Sequence, residues 1–303
     1  MKQKIDYLKY LIHKITVCIN PELEINRYFK KVFGHKADLK NPKSLIEKIY
    51  WMQLHSDTSL WTMFADKYRV REYIKTKGYE DNLPQLYGAW KDPSDIDITL
   101  LPSSFVLKAN NGCASVILIK DKTSCQWEKL RSEMKSWFRF PFGYSGYEPH
   151  YLRIEPCIIA EEMLEQDEEL TELSPNSMVD FKFWCFNGHV ESCLITYGRC
   201  KGSLSIDLYD REWNRIHHNL KNFGEEKVND DIIFPKPKCL TKMVEMASVL
   251  SKGQPEMRVD MYIVNGKPIV GELTMSSGYG YFTEDYYNYL GNLVDVSLLP
   301  KKK

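Results

Sequence analysis

Arg258, Asp260, Glu272 and Thr274 stand close together in one stretch, Met257 to Met275, which reads MRVDMYIVNGKPIVGELTM. Two runs of β-branched and apolar residues flank Asn265-Gly266, the pattern of a hairpin. What the acidic residues can do depends on its register. A two-residue Asn-Gly loop sets 260 against 271 and sends Glu272 to the opposite face. A three-residue loop, Val264 to Gly266, pairs 258 with 272 and 260 with 270, so that Arg258, Asp260, Glu272 and Thr274 share one face with Asp260 diagonal to Glu272. The first is the commoner turn. The second builds a site for a hard divalent cation, which needs only a few carboxylates and leaves room for phosphate oxygens. A surface hairpin with scattered charges fits the segment as well.

Two earlier segments carry complementary chemistry. Phe105-Val106-Leu107-Lys108 is a short apolar strand ending in a lysine, followed by Ala109-Asn110-Asn111-Gly112-Cys113-Ala114-Ser115. A lysine there can meet a phosphate as a point charge, and a loop of small residues lets backbone amides come close to it. The Gly-Lys-Ser/Thr of a P-loop is missing, and a plain hairpin turn with an edge lysine has the same sequence. Cys157-Ile158-Ile159-Ala160 runs into Glu161-Glu162-Met163-Leu164. A carboxylate at the end of a buried strand can accept from an adenine amino group, with the next backbone groups completing the purine's hydrogen bonds; an exposed acidic strand end is the simpler reading.

The elements that must hold these residues are mixed. Residues 1 to about 100 read as helical, with Leu45, Ile46, Ile49, Tyr50 and Trp51 at helical spacing and Tyr68, Val70, Tyr73 and Ile74 likewise. After the turn-rich Lys91 to Asp95, short strands alternate with turns. A second Asn-Gly, at 187 and 188, predicts a hairpin over Val179 to Thr196. Gln126 to Phe138 and Cys239 to Leu250 read as helices, the latter with Gly253 as its stop. The fold class is α+β, not a series of parallel βαβ units.

With 303 residues, 43% hydrophobic and 27% charged, the chain has the profile of a globular protein. Its 41 basic and 41 acidic residues cancel, so no global attraction to nucleic acid is expected. Eight cysteines without a CxxC argue against a zinc site and fit a reducing, cytoplasmic setting. The opening segment places Ile5, Leu8, Leu11, Ile12 and Ile15 on one helical face among lysines. Residues 1–20 therefore suit either a membrane-surface helix at the inner face or a helix docked on the protein's own core. The histidines lack a nucleophile motif, and Tyr279 to Tyr289 is aromatic enough to stack on a sugar or to pack a core.

In this order, the lysine with its small-residue loop, the acidic strand end, the Arg-x-Asp strand and the glutamate a dozen residues on resemble the ATP-grasp superfamily. More closely, Ser44 to Ile49, Phe64 to Arg71, Asp180 to Gly188 and Gly271 to Thr274 make the chain similar to the TupA-like ATP-grasp family, over about residues 40 to 296. The resemblance implies two α+β lobes clasping a nucleotide behind a helical segment: residues 1–100 helical, 101–162 an N-lobe and 163–297 a C-lobe. It implies ATP with Mg²⁺, or Mn²⁺, as cofactors. Lys108 would meet the phosphates under the loop that includes Asn110, Asn111, Gly112 and Ser115. Glu161 would bind the adenine, with backbone contacts from Glu162, Met163 and Leu164. Glu168 is preferred over Asp167 and Glu169 for the ribose. Asp260, Glu272 and Thr274 would hold metal, and Arg258 would bear the transferring phosphate's charge. Lys67 and Lys182 are further phosphate or substrate contacts, unless they are solvated charges. Many ATP-grasp ligases have Asn where Thr274 stands, and a Pro-Gly where Ser277-Gly278 stands. The implied activity is ADP-forming ligation of an amino acid to a sugar acid in a surface polysaccharide or its precursor. A sugar kinase, a nucleotide-sugar glycosyltransferase and a non-catalytic nucleotide binder are the alternatives.

Overall fold

The computed structural model describes residues 2–113 and 115–302; Ala114 of the small-residue loop and the last residue of the Lys301 to Lys303 tail lie outside them. Helices α1 (Lys2–Ile19), α2 (Pro21–Phe33), α3 (Leu45–His55), α4 (Ser59–Ala65) and α5 (Val70–Thr76) come first. Strands β1 (Leu86–Trp90), β2 (Phe105–Ala109) and β3 (Val116–Ile119) follow, then α6 (Trp127–Trp137), α7 (Pro149–Leu152) and β4 (Ile158–Glu161). The remainder comprises α8 (Glu168–Leu173), β5 (Asp180–Phe186), β6 (His189–Cys200), β7 (Ser203–Asp210), β8 (Glu226–Val228), α9 (Leu240–Ser251), β9 (Met257–Val264), β10 (Lys267–Thr274) and α10 (Glu284–Leu293). The class is α+β with a helical start, as expected. One strand, β1, falls inside the stretch read as helical. Its five residues are too few to show a period, and it is fixed by pairing with β4, some seventy residues away (Trp90 opposite Ile158).

The chain forms two compact units. The first comprises residues 1–36, 59–71 and 84–164; the second comprises 37–58, 72–83 and 165–303. In the first, four antiparallel strands in the order β1-β4-β2-β3 form the sheet. Phe105, Leu107, Ile158 and Ala160 point from it onto Met134 of α6, making a core. Residues i and i+2 of a strand share a face, so Lys108 lies on the side opposite that core.

In the second unit, six strands run in the order β10-β9-β5-β6-β7-β8, antiparallel except for the β7/β8 pair. Helix α9 covers one face with Met243, Met246, Ala247 and Leu250, all buried. Helix α3 starts with a capping box in which Ser44 and Glu47 satisfy each other's backbone N–H groups. Glu47 also accepts from the backbone of Asp38 and Lys43, so this residue of the family-like stretch is committed to the helix start.

Candidate active site

The β9/β10 hairpin settles the register question in a way neither simple turn anticipates. Asn265 and Gly266 both have positive φ, at 52° and 71°, the backbone of the two-residue turn. Val264 duly pairs with Lys267, and pairing stays regular to Met261 opposite Val270. There the register shifts: Glu272 lies opposite Asp260, and Thr274 opposite Arg258. Gly271 is the extra residue of a β-bulge. The three-residue loop and the diagonal Asp260–Glu272 relation are thus both replaced, by a tight turn plus a bulge that makes the two carboxylates direct cross-strand neighbours. A side chain at 271 would bring its Cβ within 2.8 Å of the Tyr262 ring, so glycine is what the bulge admits.

The neighbouring strand completes the cluster. β5 pairs with β9 so that Lys182 is opposite Asp260 and Trp184 opposite Arg258. One row across the sheet therefore reads Lys182, Asp260, Glu272, and the next reads Trp184, Arg258, Thr274. Arg258 donates Nε to Asp260 Oδ1 at 2.6 Å and Nη2 to Oδ2 at 2.7 Å, and the same Nη2 reaches Glu272 at 3.1 Å and the Thr274 hydroxyl at 3.2 Å. The guanidinium also lies over the Trp184 ring, 5.5 Å from its centroid. Lys182 Nζ sits 2.5 Å from both Asp180 and Asp260. Asp180, one step of strand alternation from Lys182, is a member the sequence reading missed; its spacing to Lys182 repeats that of Arg258 to Asp260.

Burial and the neighbouring charges pull these groups in opposite directions. Burial would lower the Lys182 pKa, but Asp180 and Asp260 overcome it and hold the ammonium above the usual lysine value. Burial is likewise outweighed for Arg258, chiefly by Asp260. Asp180 is pushed up by burial, with Lys182 pulling against the rise. The two carboxylates thus favour the charged form of Lys182. Two carboxylates and a hydroxyl on adjacent strands are hard oxygen donors of the kind Mg²⁺ or Mn²⁺ accepts. Asp180 Oδ1 is buried without a hydrogen-bond partner, so the cluster retains acceptor capacity there. Among the described residues no group of three His, Cys, Asp or Glu side chains makes a ready cage. The donor set fits an ion that takes most of its ligands from water and phosphate.

In the first unit, β2 and β4 bring Lys108 and Glu161 together at 2.7 Å. Arg71 of α5 binds the other carboxylate oxygen at 2.9 Å. Glu161 is buried, and its two oxygens accept from Arg71 and Lys108. Glu162 is exposed and exchanges hydrogen bonds with the Gln85 backbone. Met163 and Leu164 follow in half-buried, irregular chain. Asn110 is a structural anchor: its amide donates to Asp66 and to the Glu155 carbonyl, and its Oδ1 accepts from Cys157 N–H. Lys67 donates to the Gly112 carbonyl at 2.7 Å and so holds the loop. Asn111, Gly112 and Ser115 line a cavity of ≈ 270 Å³ floored by Trp137, Phe142 and Tyr151. Glu168, in the second unit, opens α8 and lines another of ≈ 400 Å³ with Lys236, Lys238 and Ile263. Asp167 is engaged by Gly266 N–H at 2.9 Å and Glu169 by Lys238 at 3.1 Å.

A model of the TupA-like ATPgrasp family matches residues 47–295, a span that contains every element of both clusters. The chain belongs to the TupA-like ATP-grasp family. No curated protein matches it in sequence. Among solved structures it is similar to D-alanine–D-alanine ligase from Bacillus anthracis, at 14% identity and TM-score 0.44, covering 80% of this chain and 72% of that one. The same ligase from Bacillus anthracis complexed with ATP is 15% identical, with TM-score 0.41 and coverage of 77% and 63%. The ligase PsnB with its minimal precursor is 12% identical, with TM-score 0.39 and coverage of 74% and 55%. The chain thus spans under two thirds of the length of the last two. The ATP-grasp assignment rests on the family match and not on these remote likenesses.

Proposed function

We propose that this TupA-like ATP-grasp protein is an ADP-forming carboxylate–amine ligase. The observation that carries the reading is the row Lys182, Asp260, Glu272 with Arg258 clamped on Asp260. It joins paired metal-type carboxylates to two cations whose charged forms those carboxylates favour.

A substrate carboxylate oxygen attacks the γ-phosphorus of ATP and ADP leaves. An amine then attacks the acyl carbon of the resulting acyl phosphate, phosphate departs and the amine sheds a proton. Asp260 and Glu272 would hold Mg²⁺, which supplies charge neutralisation to the phosphate oxygens. Arg258, fixed by Asp260 and Trp184, offers a planar donor for charge that builds on transferring phosphoryl oxygens. Lys182 balances the buried carboxylates, and Thr274 steadies Glu272 through a 3.2 Å hydrogen bond. Lys108, placed by Glu161, contributes a phosphate contact, with the 110–115 loop as its neighbour and Glu168 as the ribose partner. The substrate pair favoured is an amino acid and a sugar acid of a surface polysaccharide or its precursor, on the strength of family membership.

Product analysis tests this. ADP and phosphate release should require carboxylate and amine together, and Asp260→Asn should cut that turnover by about 100-fold or more. Phosphate retained on a hydroxyl acceptor would make the protein a kinase, consumption of a nucleotide-sugar a transferase, and absence of any product a binder. An Asp260→Asn variant that turned over like the parent would overturn the metal assignment.

A further inference from the structure

Helix α1 faces outward with the side that would ordinarily face inward. Ile5, Leu8, Ile12, Ile15 and Ile19 recur at alternating spacings of three and four and so form one stripe. They are exposed to 47%, 59%, 51%, 54% and 75%. The helix is nonetheless fastened to its unit by its other side. Tyr10 packs on Phe140 and Tyr144, with ring centroids 5.2 and 5.7 Å apart. His13 lies 3.0 Å from Glu24, a buried carboxylate that also takes Arg27 at 2.6 Å and the Gly146 N–H at 3.1 Å. Polar and aromatic residues thus supply the anchor, with Leu11 and Val17 half-buried beside them, and the five stripe residues are left to water. Leu23, at the start of α2, is exposed as well, at 55%.

Burial of all five stripe residues would remove on the order of 500 Å² per copy, short of the roughly 800 Å² per partner of a standard interface. A second copy is therefore a poor fit. The helix sequence carries Lys2, Lys4, Lys9 and Lys14 against Asp6 alone, a charge balance that matches an anionic surface. Among the described residues no helix is long and apolar enough to cross a membrane. We propose that α1 lies flat on the surface of an anionic phospholipid bilayer, its Ile/Leu stripe in the acyl boundary and the exposed Lys9 at the headgroups, while Lys14 stays over the Tyr10 ring of the anchored side. The helix docks the first unit to that surface through contacts already formed in the free protein.

The test is co-sedimentation of the full chain with phosphatidylcholine vesicles, with and without phosphatidylglycerol, for the parent and the double variant Ile12→Glu/Ile15→Glu. Both substituted side chains are exposed, so thermal stability and Mg²⁺-dependent ATP turnover should match the parent. The parent should pellet with phosphatidylglycerol vesicles, less so as salt rises, and stay in solution with phosphatidylcholine alone. The variant's partition coefficient should fall by about tenfold or more. Failure of the parent to bind anionic vesicles overturns the proposal. So does a parent dimer in analytical ultracentrifugation that the same variant dissolves, because the stripe would then be covered by a second copy. Neither outcome depends on the ligase reading.

Discussion

Glu161 illustrates how far a single residue can be read. Its place at the end of a buried strand was legible. Its partners were not, because the cations on it come from 53 and 90 residues away and only the sheet order β1-β4-β2-β3 with α5 brings them in. The substitution Glu161→Gln separates the two roles. If the carboxylate positions Lys108, the variant raises KM for ATP and GTP alike, about tenfold. A changed ATP-to-GTP preference would place Glu161 on the adenine. Asp180 was missed for a related reason: nothing in Asp-Phe-Lys declares that Lys182 will be shared with Asp260 across a strand pair. A second buried acid is more informative still. Glu256 is fully buried and burial pushes its carboxyl up to about 8, with Ser277 and Arg258 pulling the other way. The folded chain thus keeps a proton that the unfolded chain releases above about pH 4.5. Stability contributed by this group is unaffected below that pH, declines from there to about pH 8, and is flat above. Glu256→Gln, which stays neutral, should melt near the parent at pH 5 and above it at pH 8, with a gap of up to roughly 5 kcal/mol. Equal gaps at both pH values would show that the carboxyl is ionised throughout.

At the scale of elements, the turns were the most readable features. Asn-Gly at 187–188 and 265–266 both adopt positive φ at the asparagine and the glycine, because only such residues take the primed turn without strain. Helices α3, α6 and α9 lie within a residue or two of their apolar periodicity. The bulge was not readable, because it depends on the Tyr262 ring lying over a glycine on the neighbouring strand, a contact without a local signature. Gly271→Val tests its worth. The new side chain meets Tyr262, costing about 1–3 kcal/mol, and must push Glu272 out of line with Asp260. Mg²⁺-dependent turnover should fall far more than the melting temperature does. Parallel, proportionate losses would mean that the bulge serves stability alone.

For the whole molecule, the order of the chemical segments was legible and led to the family, whose match runs over residues 47–295. The assignment of residues 37–58 and 72–83 to the second unit was not, since no change of composition marks those junctions. Binding to the folded chain raises its stability by mass action. ATP with Mg²⁺ at about 100 times its Kd should add about 2.7 kcal/mol, read as a thermal shift. UDP-sugars should leave the midpoint unmoved, and the reverse pattern would favour the transferase.

The bulge also bears on which sequence changes the hairpin can absorb. Because Gly271 is the one residue of β10 without a cross-strand partner, losing its codon joins Val270 directly to Glu272. The two-residue turn then yields an unbroken ladder in which the glutamate still faces Asp260 and Thr274 still faces Arg258. Chain lengths one residue apart thus preserve the same pairing across this hairpin, whereas a larger side chain at the unchanged length does not. Drift at this position is accordingly freer in length than in bulk, the inverse of what an ordinary strand allows.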